Sequence, residues 1–303
     1  MAAPRAPNNE LMKPNKTPET SPTAIRKQGP RPIIAFSKPF QAMSPDEMAA
    51  FIEEVGLNGI ESPVRSAGQI EPERVEEDLP RLLEAFRKRG LDIPVIVTGI
   101  SSIGQPHAER VLRTAAKLGV KCARLGIFKY VRERPLAQQL TEIGKVLKDI
   151  GDACGELGIQ AAVQNHSGFD RFAAPMWDFY TVLKESKMRN VGICFDTAHA
   201  AIDGGLSWPI QARLMEPYYA AFYVKDFIWA RGASGWGSTG ASGWGAVWCP
   251  LGEGMVDRSI VAGLRDSSFS GPICQHHEYP MANRAEMLAH MQKDLRVLKE
   301  WLA

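Results

Sequence analysis

The sequence has little net charge, no paired-cysteine spacing and no long apolar run. Its 303 residues carry a formal net charge of +2, with acids and bases interspersed as on a solvated surface. Nothing in it resembles the concentrated basic patch of a nucleic-acid-binding protein. The five cysteines, Cys122, Cys154, Cys194, Cys249 and Cys274, are odd in number and no two have CxxC spacing. Neither a disulfide framework nor a structural zinc site is therefore indicated. Cys122, Cys194 and Cys274 lie within apolar, strand-like runs and read as small core residues. A reducing compartment, the cytoplasm, is the simpler expectation. No apolar run approaches the roughly 20 residues needed to span a bilayer. The N-terminus also lacks the apolar region of a secretory signal, although a signal removed before this numbering begins is compatible with the same sequence.

What is present is a regular alternation. Hydrophobic residues make up 45% of the chain, enough for one large core or two smaller ones. Residues 1–30 are rich in Pro, Asn, Thr, Ala and Lys and read as a disordered tail. Over 31–303, short apolar runs alternate with amphipathic stretches of helical period. The strand-like runs are Ile33–Phe40, Gly59–Pro63, Ile93–Gly99, Cys122–Phe128, Ile159–His166, Val191–Asp196, Ala220–Asp226 and Pro272–Glu278. Helices are expected near 45–55, 73–89, 107–118, 136–157, 175–187, 208–217, 257–266 and 284–301. Ser44 before Pro45, Asp46 and Glu47 is a helix start, and Gly56, Gly90, Gly119 and Gly158 fall where helices should stop. Strands that alternate with helices pair in parallel. Eight such units predict an α/β fold of the closed (β/α)8 TIM-barrel type, which takes roughly 250 residues. A doubly wound open sheet is the alternative, but no GxGxxG follows the first strand-like run. One segment, 230–248, breaks the rhythm with Gly-Ala-Ser-Gly-Trp-Gly at 232–237 and again at 240–245. It is expected to be a mobile loop on the active face or a tolerated surface insertion, and its tryptophans offer faces on which sugars pack.

Barrel chemistry sits at the C-terminal ends of strands. Four consecutive strand-like runs end in polar groups: Gln164-Asn165-His166, Asp196-Thr197-Ala198-His199, Tyr223-Val224-Lys225-Asp226 and His276-His277-Glu278-Tyr279. Side chains alternate along a strand, so His276 shares a face with Glu278, Tyr223 with Lys225, and Gln164 with His166, while His277 points the other way. Taken singly, Asp196 could be a helix cap, His199 a loop cap, Lys225-Asp226 an ion pair and Glu278 a partner for a surface arginine. Lys38, Glu61, Arg65 and Arg124 near the ends of earlier strands could bind hydroxyls, a carboxylate or a phosphate, or simply pair with one another.

Over residues 32–302 the chain resembles the xylose isomerase-like barrels, which include sugar-phosphate isomerases and epimerases. The motifs that carry the resemblance are Gln164-Asn165-His166, Asp196-Thr197-Ala198-His199, Val224-Lys225-Asp226, Pro250-Leu251-Gly252-Glu253-Gly254 with Asp257, and His277-Glu278-Tyr279. The resemblance implies one divalent metal (Mn, Mg or Zn) held by Glu, Asp, His and Glu from strands five to eight, a substrate-contacting His199, and proton transfer beside a carbonyl. This chain departs at two ligands, with Gln164 for the first glutamate and Tyr223 for the histidine. The implied metal set is then Gln164, Asp196 and Glu278. The expected catalytic groups are Glu278, His199 and Lys225, with His166, Lys38, Arg124 and Glu61 binding substrate. Gln can lend an oxygen to a hard cation but cannot act as a base. The leading expectation is a sugar isomerase or epimerase. The alternatives are a lyase acting on an oxidised sugar, or a barrel that binds sugar without turning it over. A metal-dependent endonuclease fits poorly, because the histidines number six and the charge is low. The expected partner is a small carbohydrate, with neither nucleic acid nor membrane, and a homo-oligomer is compatible.

Overall fold

A computed structural model of the chain describes residues 31–186, 188–232 and 243–303. The expected tail at 1–30 and the middle of the Gly/Trp segment lie outside the described residues. The strands are β1 (Ile33–Phe36), β2 (Gly59–Val64), β3 (Asp92–Thr98), β4 (Cys122–Arg124), β5 (Gln160–Gln164), β6 (Val191–Asp196), β7 (Tyr219–Val224), β8 (Asp226–Arg231), β9 (Trp244–Cys249) and β10 (Ile273–Gln275). The helices are α1 (Pro45–Val55), α2 (Val75–Arg87), α3 (Ala108–Lys117), α4 (Leu136–Glu156), α5 (Trp177–Ser186), α6 (Thr197–Gly204), α7 (Trp208–Met215), α8 (Arg258–Ala262) and α9 (Arg284–Leu302). Eight strands close in the order β1-β10-β7-β6-β5-β4-β3-β2. Every pairing in the barrel is parallel. This is the (β/α)8 barrel that the alternation predicts.

Strand alternation sorts the core into two layers. Ile33 and Ala35 face the helices and join the large outer core. Ile34 and Phe36 face inward, where they meet Val95, Val97, Cys122, Ala162, Cys194, Ala221 and Cys274. The three inward cysteines are buried free thiols, as their apolar setting suggests. Small side chains suit a barrel interior that must be packed solid rather than left as a pore. Helix α1 begins with a capping box: Ser44 Oγ accepts from Glu47 N while Glu47 Oε2 accepts from Ser44 N at 2.9 Å. It ends at Gly56, whose φ of 91° a side chain would resist.

The structure departs from the sequence expectations at the strand ends and after β7. β1 stops at Phe36, and Lys38-Pro39-Phe40 form a 3-10 turn, so Lys38 lies beyond the strand. Proline lacks the N–H a sheet ladder needs. Strand-like runs 122–128, 159–166 and 272–278 shorten to β4, β5 and β10. Helix α6 is an addition: it starts directly from Asp196, which is both the last residue of β6 and the helix cap, with no loop between them. The seventh run ends at Val224. Asp226 opens an antiparallel ribbon, β8 with β9, which forms the flanks of the segment expected to be a loop.

Asp226 organises that ribbon. Its carboxylate accepts from the backbone N–H of Gly252 and Gly254, each at 3.0 Å, and of Val256, also at 3.0 Å. A Cβ on Gly254 would overlap Asp226 Oδ1 and the Phe227 carbonyl oxygen, so the 250–254 motif needs glycine there. The motif is a clamp that returns β9, and Trp248 on it, to the barrel mouth. No helix among the described residues is long and apolar enough to cross a membrane.

Candidate active site at the barrel mouth

Four strand ends bring Gln164, Asp196, Lys225 and Glu278 together. Lys225 is the centre: its ammonium donates to Glu278 Oε2 at 2.7 Å and lies 3.9 Å from Asp196 Oδ2. It also stands 3.3 Å from His199 Nε2 and 4.0 Å from the centroid of the Trp248 ring. Gln164 turns its amide nitrogen, not its oxygen, to Asp196 Oδ2 at 2.9 Å. The other oxygen of Asp196 accepts from the backbone N–H of Ala198 and His199 and caps α6. Asn165, the middle residue of its motif, holds the Asp196 backbone through bonds of 2.7 and 2.9 Å. Asp196 is thus a helix cap and a site residue at once, since each of its oxygens has a separate task.

His199 is buried, and its Nδ1 lies 2.7 Å from Ser167 Oγ. Its ring stacks on His166 with centroids 3.9 Å apart. Burial, reinforced by the Lys225 ammonium, lowers the His199 pKa well below the usual imidazole value. Burial likewise takes His166 down to about 3. Two stacked neutral rings are therefore expected at neutral pH.

A second layer lies below. Glu61, fully buried on β2, accepts from the Tyr223 hydroxyl and lies 3.1 Å from His276 Nε2. The thiol of Cys274 is 3.7 Å from the same carboxylate. Burial pushes Glu61 up, but His276, Arg124 and Tyr223 outweigh it and hold the carboxyl below its ordinary value. Burial also opposes charge on His276, whose two carboxylate neighbours, Glu278 and Glu61, win and raise it. Glu278 shows the same contest: burial pushes it up, and Lys225 and His276 hold it far below the usual carboxylate range. Glu61, Cys274 and His276 place potential ligand atoms within 4.8 Å of one another, a candidate group for a metal ion. Lys38 reaches from the rim to 3.6 Å from Glu278 Oε1. Arg124 lies over the Phe36 and Tyr223 rings, 5.8 and 5.9 Å from their centroids.

All nine residues singled out from the sequence therefore fall at one end of the barrel, in an upper layer around Lys225 and a lower one around Glu61. The sequence assigns no site role to His276, Ser167 or Cys274, and includes Trp248 only as one of the tryptophans of the 230–248 segment. The alternation that turns Glu278 inward also turns His276 inward, so that residue was within reach of the argument. The contact of Trp248 with Lys225 depends on the Asp226 clamp.

The chain matches a family model described as a xylose isomerase-like TIM barrel over residues 49–301. The chain belongs to that family. Solved structures of similar shape include a xylose isomerase-like TIM barrel protein from Mycobacterium smegmatis in complex with magnesium. It is 17% identical with a TM-score of 0.64, covering 90% of this chain and 98% of that one. A 3-keto-D-glucoside 4-epimerase from E. coli is 15% identical with a TM-score of 0.67, covering 89% and 100%. A probable 3-DHS dehydratase from Bacillus anthracis is 15% identical with a TM-score of 0.66, covering 88% and 98%. The structural neighbours include epimerases and a dehydratase, and identities this low carry the fold rather than the reaction. Among curated proteins nothing matches the sequence.

Proposed function

We propose that this chain is an enzyme that isomerises or epimerises a sugar or sugar derivative by taking a proton from the carbon beside a carbonyl. The observation that carries the reading is the triad of Glu278, Lys225 and His199, in which the Lys225 ammonium touches both the Glu278 carboxylate and the neutral His199 imidazole at the mouth. Glu278 is the base. While it is paired with Lys225 it is a poor one, because the ammonium stabilises its charged form. A substrate carbonyl that draws the ammonium to its oxygen frees the carboxylate at the moment a proton must be taken. Glu278 then removes the α-proton, the C–H electron pair moves into the enediolate, and Lys225 compensates the charge that develops on oxygen. Return of that proton by Glu278 to the neighbouring carbon, with the hydroxyl proton passing from one enediol oxygen to the other, gives an isomer; an epimer requires delivery of a proton to the opposite face by solvent water, because Glu278 serves only one face. His199, anchored by Ser167, holds Lys225 in line. Trp248 supplies an apolar wall.

The residues at the mouth are engaged in ways that bear on the metal the resemblance implies. Gln164 offers Asp196 an N–H, Asp196 spends one oxygen on α6, and Tyr223 gives its hydroxyl to Glu61. The Lys225 ammonium stands between Glu278 and Asp196. Gln164, Asp196 and Glu278 so arranged do not fit a divalent ion, and on this reading Lys225 provides the positive charge. A divalent metal is the second reading. The Glu61, Cys274 and His276 group and the magnesium-bound neighbour favour it.

A lyase would start from the same proton abstraction and expel a hydroxyl instead of returning the proton, and the dehydratase among the neighbours favours keeping it in view. Exchange of the α-proton for deuterium from solvent, followed by NMR over a panel of ketoses and oxidised sugars, tests the proposal. Glu278→Gln should abolish exchange. Exchange that persists in that variant sinks the role given to Glu278. A barrel that only binds sugar would show no exchange at all, and a lyase would accumulate an unsaturated product.

A further inference from the structure

Arg124 is 7% exposed, yet its guanidinium makes no hydrogen bond or ion pair with any described residue. None of its nitrogens is among the sealed, unpartnered atoms, so the five N–H donors of its fixed fork remain open to a ligand. The neighbouring carboxylates are committed elsewhere. Glu61 serves Tyr223 and His276, and Glu278 serves Lys225 with Lys38 beyond it. The Phe36 and Tyr223 rings wall the guanidinium and keep its surroundings apolar. Arg65, half-buried just past the end of β2, has no carboxylate within ion-pair distance either. Only β3 separates it from Arg124: Val64, just before Arg65, pairs with Thr98, and Val97 pairs with Arg124; burial lowers the Arg65 pKa first and the like charge of Arg124 second. Around the mouth four cations, Lys38, Arg65, Arg124 and Lys225, face three carboxylates, Glu61, Asp196 and Glu278. A positive charge is left over before any histidine is counted.

We propose that the ligand of this site is an acidic sugar derivative whose oxyanion, a carboxylate or a phosphate, is bound by Arg124 with Arg65, apart from the carbon that Glu278 deprotonates. Planar, bidentate recognition of such groups is what a guanidinium does better than an ammonium. The inference rests on the proposed function only in treating the ligand as a substrate.

Calorimetric titration of the full chain with D-gluconate, D-glucose 6-phosphate and the neutral D-fructose is the test. One of the two anions is expected to bind more tightly than the neutral sugar, and which one tells carboxylate from phosphate. Arg124→Met should weaken that anion about ten- to hundredfold, the worth of hydrogen bonds to a charged group, and leave the neutral sugar unchanged. Arg124→Lys, which keeps the charge and loses the fork, should recover part of the affinity. Arg65→Met, nearer solvent, gives a smaller loss of the same selectivity and decides the matter if Arg124→Met does not fold. Three results overturn the proposal: the neutral sugar binding as tightly as both anions, no anion binding at millimolar concentration, or substitutions that weaken acidic and neutral ligands alike. The last would make Arg124 a structural counter-ion to Glu61. Because binding is read without turnover, a failed proton-exchange assay leaves this outcome independent.

Discussion

Replacing Lys225 by methionine, with Gln164→Glu in the same chain, should turn a site that does not bind manganese into one that does. In the parent, a divalent ion about 4 Å from the ammonium would meet about 8 kcal/mol of repulsion at an effective dielectric constant of about 20. If only a third of that survives relaxation and water entry, affinity still changes about a hundredfold. Methionine keeps the length and apolar stem of lysine without its charge. The second change supplies a carboxylate where the parent offers an amide N–H to Asp196, and a carboxylate attracts a divalent cation far more strongly than an amide does. The cost to stability should be moderate, because Glu278 keeps Lys38 at 3.6 Å and His276 at 3.9 Å as partners. The assay is electron paramagnetic resonance of free manganese during titration, with elemental analysis of the protein as purified. A parent that carries one equivalent of divalent metal, or that binds manganese as tightly as the double variant, refutes the assignment of Lys225 as the resident cation. Metal-assisted chemistry would then be the reading to pursue.

Gly254→Ala should lower stability by about 2 kcal/mol or more, the scale of a steric clash in a packed site, because the added Cβ meets Asp226 Oδ1 and the Phe227 carbonyl. Thermal melting reads the loss, and an unchanged melting temperature would show that the 250–254 clamp can move aside freely. Asp294 and His277, 3.6 Å apart behind β10, make opposite pH demands. Burial raises Asp294 to about 6, so it favours the fold at low pH and this contribution fades as pH rises from about 4 to 6. Burial lowers His277 to about 3, so the unfolded chain takes up its proton first and stability rises with pH over the same window. The two contributions oppose each other there, so Asp294→Asn should make stability rise more steeply with pH than in the parent, by about 1.4 kcal/mol per pH unit, and urea melts at several pH values that stayed parallel to the parent's would contradict it.

The sequence by itself determined the barrel. Its period changes between strand and helix eight times, and that signal is local, written within a few residues of each element. The same locality made Asp196, Lys225 and Glu278 visible as polar strand ends, and alternation alone turned His276 inward with Glu278 and His277 outward to Asp294. The tertiary structure decided what those residues do to one another. Glu61 and His276 are 215 positions apart, and only closure of β1 onto β10 and β2 brings their side chains to 3.1 Å. The ends of β8 and β9 that flank the 230–248 segment are not legible as strands in the sequence, because their strand character comes from antiparallel pairing and from the Asp226 clamp, not from hydrophobic periodicity. Composition could say that Gln164 is a weak ligand. It could not say that the amide would face Asp196 nitrogen first, or that the Lys225 ammonium would stand 2.7 Å from Glu278. Those facts depend on where four strand ends converge to within a few ångströms, and pattern along a chain fixes direction but not distance.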